Sequence, residues 1–151
     1  MFSWLYKWFL FGWNQWPLKW PDAVRTSALA FYRSFNSTGM ATAFATLILV
    51  SIILVAIYYF IISNKFGGYK YRIHHWLIVL GINAVLVGVL TVFLPRFFVT
   101  PNNAQFIKDA PFFSLGIINA VYSLIVFFLF SMVVTKVKLL SKKTNASSTP
   151  F

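Results

Sequence analysis

A chain of 151 residues that is 60% hydrophobic, 21% aromatic and only 10% charged cannot hold its apolar surface away from water unaided, since a soluble domain carries about 25% charged residues. The net charge of +11, from 13 Lys and Arg against Asp22 and Asp109, suits anionic lipid headgroups, and the scatter of basic residues among span flanks argues against nucleic acid as a partner. With no cysteine, disulfides, thiolate metal sites and cysteine nucleophiles are excluded.

The composition and length point to an all-α integral membrane protein with a few spans and no separate soluble domain. Residues 1–20 carry Trp4, Trp8, Trp13, Trp16 and Trp20, with Lys7 and Lys19 among them. Trp favours the headgroup level, where the ring is apolar and the N–H finds a partner, so these five read as interfacial anchors. The apolar run is too short to span and is interrupted by Asn14, Gln15 and Pro17. This pattern suggests an interfacial helix near residues 2–12, then an extended, proline-bounded segment. A secretory signal peptide does not fit, because the charge lies within the apolar run and no small-residue cleavage site directly follows.

Pro21-Asp22 reads as a helix start with Asp22 as N-cap. At about 100° per residue, Val24, Ala28, Phe31 and Phe35 share one face and Arg25, Thr26 and Arg33 the other. A basic amphipathic helix leading into a span is expected on the membrane surface, anchored by Arg25 and Arg33. Asn36-Ser37-Thr38-Gly39 is expected to break it and close an N-terminal segment of residues 1–39. Asn36 and Asn145 stand in formal glycosylation sequons, a pattern too common to carry weight.

Three spans are expected within residues 40–134, at about 40–62, 76–94 and 112–134, since some twenty apolar residues cross the hydrocarbon core. In the first, Gly39 with Ala43, and Ala41 with Ala45, give the small-xxx-small spacing that lets helix backbones approach. The connector 63–74 is short, so the first two spans are antiparallel. His74-His75-Trp76 opens the second span. Adjacent histidines point in different directions on a helix, so interfacial anchoring, with Trp76, is the reading, and no metal or cofactor is expected. Gly81, Ala84 and Gly88 form a narrow stripe with Asn83 beside it, the best surface for close helix contact. Pro95 is expected to end this span, and the following loop to hold one helical turn near residues 104–108.

The third span contains Gly116, Asn119 and Ala120. Its run Leu115-Gly116-Ile117-Ile118-Asn119-Ala120-Val121 echoes Leu80-Gly81-Ile82-Asn83-Ala84-Val85 with one insertion. An inverted repeat of the transporter kind would produce this, and so would coincidence in ordinary membrane composition. Each Asn lies roughly 10 Å deep in its own span. Antiparallel spans therefore keep the two amides apart, and each should seek a partner on another helix or another chain. Residues 135–151 form a basic, mobile tail.

Lys65, Lys70, Arg72, Lys136, Lys138, Lys142 and Lys143 crowd short segments at one side, which places the first connector and the C-terminus in the cytoplasm or mitochondrial matrix. The expected membrane is a bacterial inner membrane, with the mitochondrial inner membrane the second choice. The expected spans hold no Asp, Glu, Lys or Arg and the chain has no P-loop, GxSxG, HExxH or CxxC, so neither an enzyme nor a proton-coupled carrier is expected. Three functions remain, in this order. The first is a non-catalytic subunit that anchors or scaffolds a larger membrane complex (secretion, energy-transducing or defence machinery) by packing on other integral membrane subunits. The second is a homo-oligomeric pore in which copies of the chain line a path with Asn83, Thr91, Asn119 and Ser123. The third is a lipid-binding or membrane-shaping protein.

Overall fold

A computed structural model describes residues 6, 10, 12–62, 69–99 and 104–140, with side chains described at 6, 10, 12–61, 73–99 and 106–134. Trp4, Trp8, most of the expected N-terminal interfacial helix and the tail from residue 141 lie outside the described residues. Every described element is helical: a 3₁₀ helix at Trp13–Lys19, α1 at Asp22–Ser34, a π-turn at Phe35–Gly39, α2 at Met40–Ile57, a second π-turn at Tyr58–Ile62, α3 at Tyr69–Phe98, α4 at Ala104–Ile107 and α5 at Phe112–Leu140. Three stretches are long and apolar enough to cross a membrane, Asp22–Ile61, Ile73–Phe98 and Phe112–Val134. The chain is a multi-pass membrane protein whose three spans are preceded by an amphipathic helix, α1.

The chain divides into two compact units, Met1–Thr46 with Gly88–Asn119, and Leu47–Val87 with Ala120–Phe151. Each long helix contributes one segment to each unit. One rule of spacing governs burial in all three. Buried positions recur every four residues at Phe31, Phe35, Gly39, Ala43, Leu47, Ser51, Val55 and Tyr59, at Val79, Asn83, Val87, Thr91, Pro95 and Val99, and at Leu115, Asn119, Ser123, Phe127 and Ser131. Residues four apart are neighbours on a helix surface, so each set is one continuous ridge. Most of the exposed residues of each span are large apolar side chains such as Ile53, Val85, Phe97 and Phe113, as a lipid-facing surface requires.

Four local expectations need correction. Asp22 is not the N-cap: Pro21 occupies that position without a side-chain cap bond, and Asp22, inside the first turn, pairs with Arg25 three residues on. The segment after Gly12 is not extended. Gly12 turns the chain at φ 74°, a conformation that costs glycine nothing, and the 3₁₀ helix then puts Trp13, Trp16 and Lys19 on one side because its period is three. The chain does not break at 36–39 either. Ser37 Oγ donates to the carbonyls of Arg33 and Ser34, and Thr42 Oγ1 to that of Thr38. Such back-bonding keeps hydroxyl residues inside a helix, so the amphipathic segment and the first span form one helix of 40 residues. Pro95 sits within the last turn of α3, not at its end.

In the first unit, Gly116 sets the closest helix approach. A Cβ there would lie 2.5 Å from Val92 Cγ2 and 2.9 Å from the Gly88 carbonyl oxygen. A Cβ at Gly39 would meet Val99 Cγ2 at 3.1 Å. Gly81, expected on the packing stripe, instead faces open space with nothing within 4 Å, and Ala84 and Ala120 are half-buried beside the ridges. Gly116→Ala should therefore destabilise by about 1–3 kcal/mol, the range for overpacking a filled contact, while Gly81→Ala should leave stability unchanged. Unfolding by sodium dodecyl sulfate titration in mixed micelles checks both.

Candidate functional site

In hydrocarbon no water completes an unpaired amide, so the side chains on the buried ridges show what each unit is built to hold. In the first unit the node is Asn119. Its Nδ2 donates to the Ala43 carbonyl at 2.8 Å and to Thr91 Oγ1 at 2.9 Å, and its Oδ1 accepts from Tyr6 OH at 2.7 Å. One amide thus joins the N-terminal segment and all three spans. In the second unit Asn83 Nδ2 donates to Ser51 Oγ at 3.2 Å and to the Ser123 carbonyl at 3.1 Å. The carbonyl can only accept, so it fixes which end of the amide faces it. Asn83 Oδ1 is left buried with no hydrogen-bond partner among the described residues. Of the two partners expected, another helix or another chain, the structure supplies the first for both amides. The two do keep apart, and Ser and Thr hydroxyls and helix carbonyls on neighbouring spans supply the partners.

The described tryptophans expected as interfacial anchors, Trp13, Trp16, Trp20 and Trp76, pack against other rings of the chain. Trp13 and Trp16 are buried, 5% and 6% exposed. Trp13 Nε1 donates to Asn36 Oδ1 at 3.1 Å, which occupies the sequon asparagine in a packing role. Trp16 stacks among Trp13, Trp20, Phe31 and Phe106 with centroids 4.9–5.7 Å apart, and Trp20 is half-buried against Phe106. The aromatic face of α1 is thereby covered by protein, because these rings offer more contact area to each other than a headgroup layer does. Trp76 is buried in the second unit with Val55, Tyr58, Tyr59, Val79 and Phe127, its indole N–H donating to Ser131 Oγ at 3.2 Å. Arg33 is exposed, and Arg25 pairs with exposed Asp22. Arg96, near the end of α3, lies over the rings of Phe93 and Phe112 at 5.7 and 5.2 Å, a cation–π seat.

Beside this aromatic cluster the first unit opens a cleft of about 360 Å³, lined by Leu10, Gly12, Trp13, Trp16, Lys19, Asp109, Pro111 and Ser114. An adjoining one of about 400 Å³ shares Trp16, Lys19 and Asp109 and adds Trp20. Among the described residues no three His, Cys, Asp or Glu side chains come together as a metal site would need. Reasoning on the sequence missed Tyr6, Ser51 and Ser131 as partners and Lys19 with Asp109 as cleft residues. The first group carried a signal: Ser51, Asn83, Thr91, Asn119, Ser123 and Ser131 are polar residues inside apolar spans, and those sharing a helix are spaced by multiples of four. The second carried none, since Lys19 and Asp109 are far apart in the chain.

Asn119→Leu removes the hydrogen bonds to the Tyr6 hydroxyl, the Thr91 hydroxyl and the Ala43 carbonyl, and should cost about 1–2 kcal/mol, the upper range for intramembrane hydrogen bonds. Asn83→Leu also removes an unpaired buried acceptor and should cost less than half as much. The same detergent unfolding ranks the two. Comparison with known protein families, characterised proteins and solved structures finds no match for this chain, so any functional reading rests on the geometry itself.

Proposed function

We propose that the chain is a non-catalytic, multi-pass subunit that anchors or scaffolds a larger membrane assembly, of the secretion, energy-transducing or defence kind, by helix packing against other integral membrane subunits. The observation that supports this most is the disposition of the polar side chains. Ser51, Asn83, Thr91, Asn119, Ser123 and Ser131 are all buried inside the chain, while Ile53, Val85, Phe97 and Phe113 are exposed. A protein whose polar groups are used for its own packing offers outward surfaces suited to lipid and to other apolar helices. Only 22–33% of each span's most apolar window is buried within the chain, which leaves ample helix surface for neighbours. A pore needs polar side chains on a face that can line a lumen. The four residues that reading relies on are fully buried, which weighs against it.

A short, basic, aromatic chain fits a bacterial inner membrane, or its mitochondrial counterpart, and the bias of Lys and Arg supports a C-terminus on the cytoplasmic or matrix side. A C-terminal green fluorescent protein fusion should fluoresce and a C-terminal alkaline phosphatase fusion should be inactive. The reverse result would invert the topology. For the function, the full chain is purified in mild detergent and its native mass measured. Different membrane chains should co-purify in fixed ratio. A defined homo-ring that conducts ions in planar bilayers would overturn the anchoring reading in favour of a pore.

A further inference from the structure

The cleft beside the aromatic cluster has a chemistry that packing does not explain. One wall is the face of the 3₁₀ helix, where a period of three aligns Trp13, Trp16 and Lys19. The opposite wall comes from the turn before α5 and its start, with Asp109, Pro111 and Ser114. Lys19 and Asp109 both line the cleft, yet among the described residues neither takes part in an ion pair. Asp109 is one of only two carboxylate side chains in the sequence, against 13 Lys and Arg, and the other, Asp22, is held by Arg25. In a chain this basic, a carboxylate outside any ion pair of the described residues thus shares a tryptophan-lined cleft with a lysine.

We infer that this cleft binds the headgroup of a zwitterionic phospholipid, a phosphate joined to an ammonium. Lys19 takes the phosphate as a point charge, with the Ser114 hydroxyl available as a donor. Asp109 takes the ammonium, and the faces of Trp16 and Trp20 add cation–π attraction to the same end. Leu10 and Pro111 supply apolar lining for the glycerol end. The place suits the ligand: Asp109 stands just before Phe112, where the third span begins, so the cleft lies at headgroup level. Its volume of about 360 Å³ falls within the usual range for small-ligand pockets. A phosphoglycerol headgroup fits less well, because it carries no ammonium for the Asp109 carboxylate to take. The site stands independently of the anchoring reading, since it needs no protein partner.

The test uses the full chain in micelles containing equal amounts of phosphatidylethanolamine and phosphatidylglycerol, with bound lipid counted by native mass spectrometry. Wild type should retain phosphatidylethanolamine over phosphatidylglycerol by about two- to fivefold, the worth of one partly exposed ion pair. Asp109→Asn should remove that preference and Asp109→Lys reverse it, while Lys19→Ala should reduce retention of both lipids. Asp22→Asn, at the carboxylate outside the cleft, should leave the preference as in wild type. All these side chains are exposed, so the variants should fold, and circular dichroism checks that they do. Equal retention of the two lipids by wild type, or a preference that survives Asp109→Asn, overturns the proposal. So does displacement of the lipid by water-soluble phosphoethanolamine at equal concentration, which would make the ligand a free phosphoester.

Discussion

An amide inside hydrocarbon must be bonded by protein, and the hydrogen bonds of Asn119 are the constraint on which the first unit depends. Its three contacts, to Tyr6, Ala43 and Thr91, reach the N-terminal segment and two other spans from one side chain. Apolar contact alone is a weak organiser between membrane helices, because lipid tails are as apolar as leucine. A bidirectional amide adds what dispersion lacks, a fixed register. The close approach of Gly116 to Gly88 and Val92 then follows, one turn of helix away from the same asparagine.

The two asparagines show how one residue type does different work. Asn119 has partners at both ends of its amide. Asn83 is tied by its nitrogen alone, and the Ser123 carbonyl, which can only accept, forbids the reversal that would bring its oxygen to the Ser51 hydroxyl. A buried acceptor without a donor is costly to keep. The second unit therefore gains orientation at Asn83 but less stability, and it leans more on the ring packing of Trp76, Phe127, Tyr58 and Tyr59.

The three spans were legible because hydropathy in membranes is a strong signal: the stretches 40–62 and 112–134 sit within the observed helices almost unchanged. What could not be read was partnership. Trp13, Trp16 and Trp76 have the composition of interfacial anchors, and nothing local distinguishes a ring against headgroups from one against Phe31 or Phe127. Asn36-Ser37-Thr38-Gly39 has the composition of a break. There the helix continues through a widened turn, with the Ser37 and Thr42 hydroxyls bonded to carbonyls of the preceding turn instead of diverting the backbone. The depth argument predicts that Asn83 and Asn119 do not bond each other and that each finds a partner on another helix, but it does not identify Ser51, Thr91 and the open carbonyls as those partners.

The four-residue spacing of buried positions has a consequence for the length of the chain. Four residues overshoot one α-helical turn by about 40°, so a ridge running from Phe31 to Tyr59 drifts steadily around the helix axis. The π-turns at Phe35–Gly39 and Tyr58–Ile62 are wider than α-turns and take up part of that drift. An insertion or deletion of one residue between them would rotate everything beyond it by about 100°, swinging Ser51 and Val55 out of phase with Phe31 and Phe35. This helix is thus intolerant of indels along its middle, and its two widened turns are the places where a change in length could be absorbed.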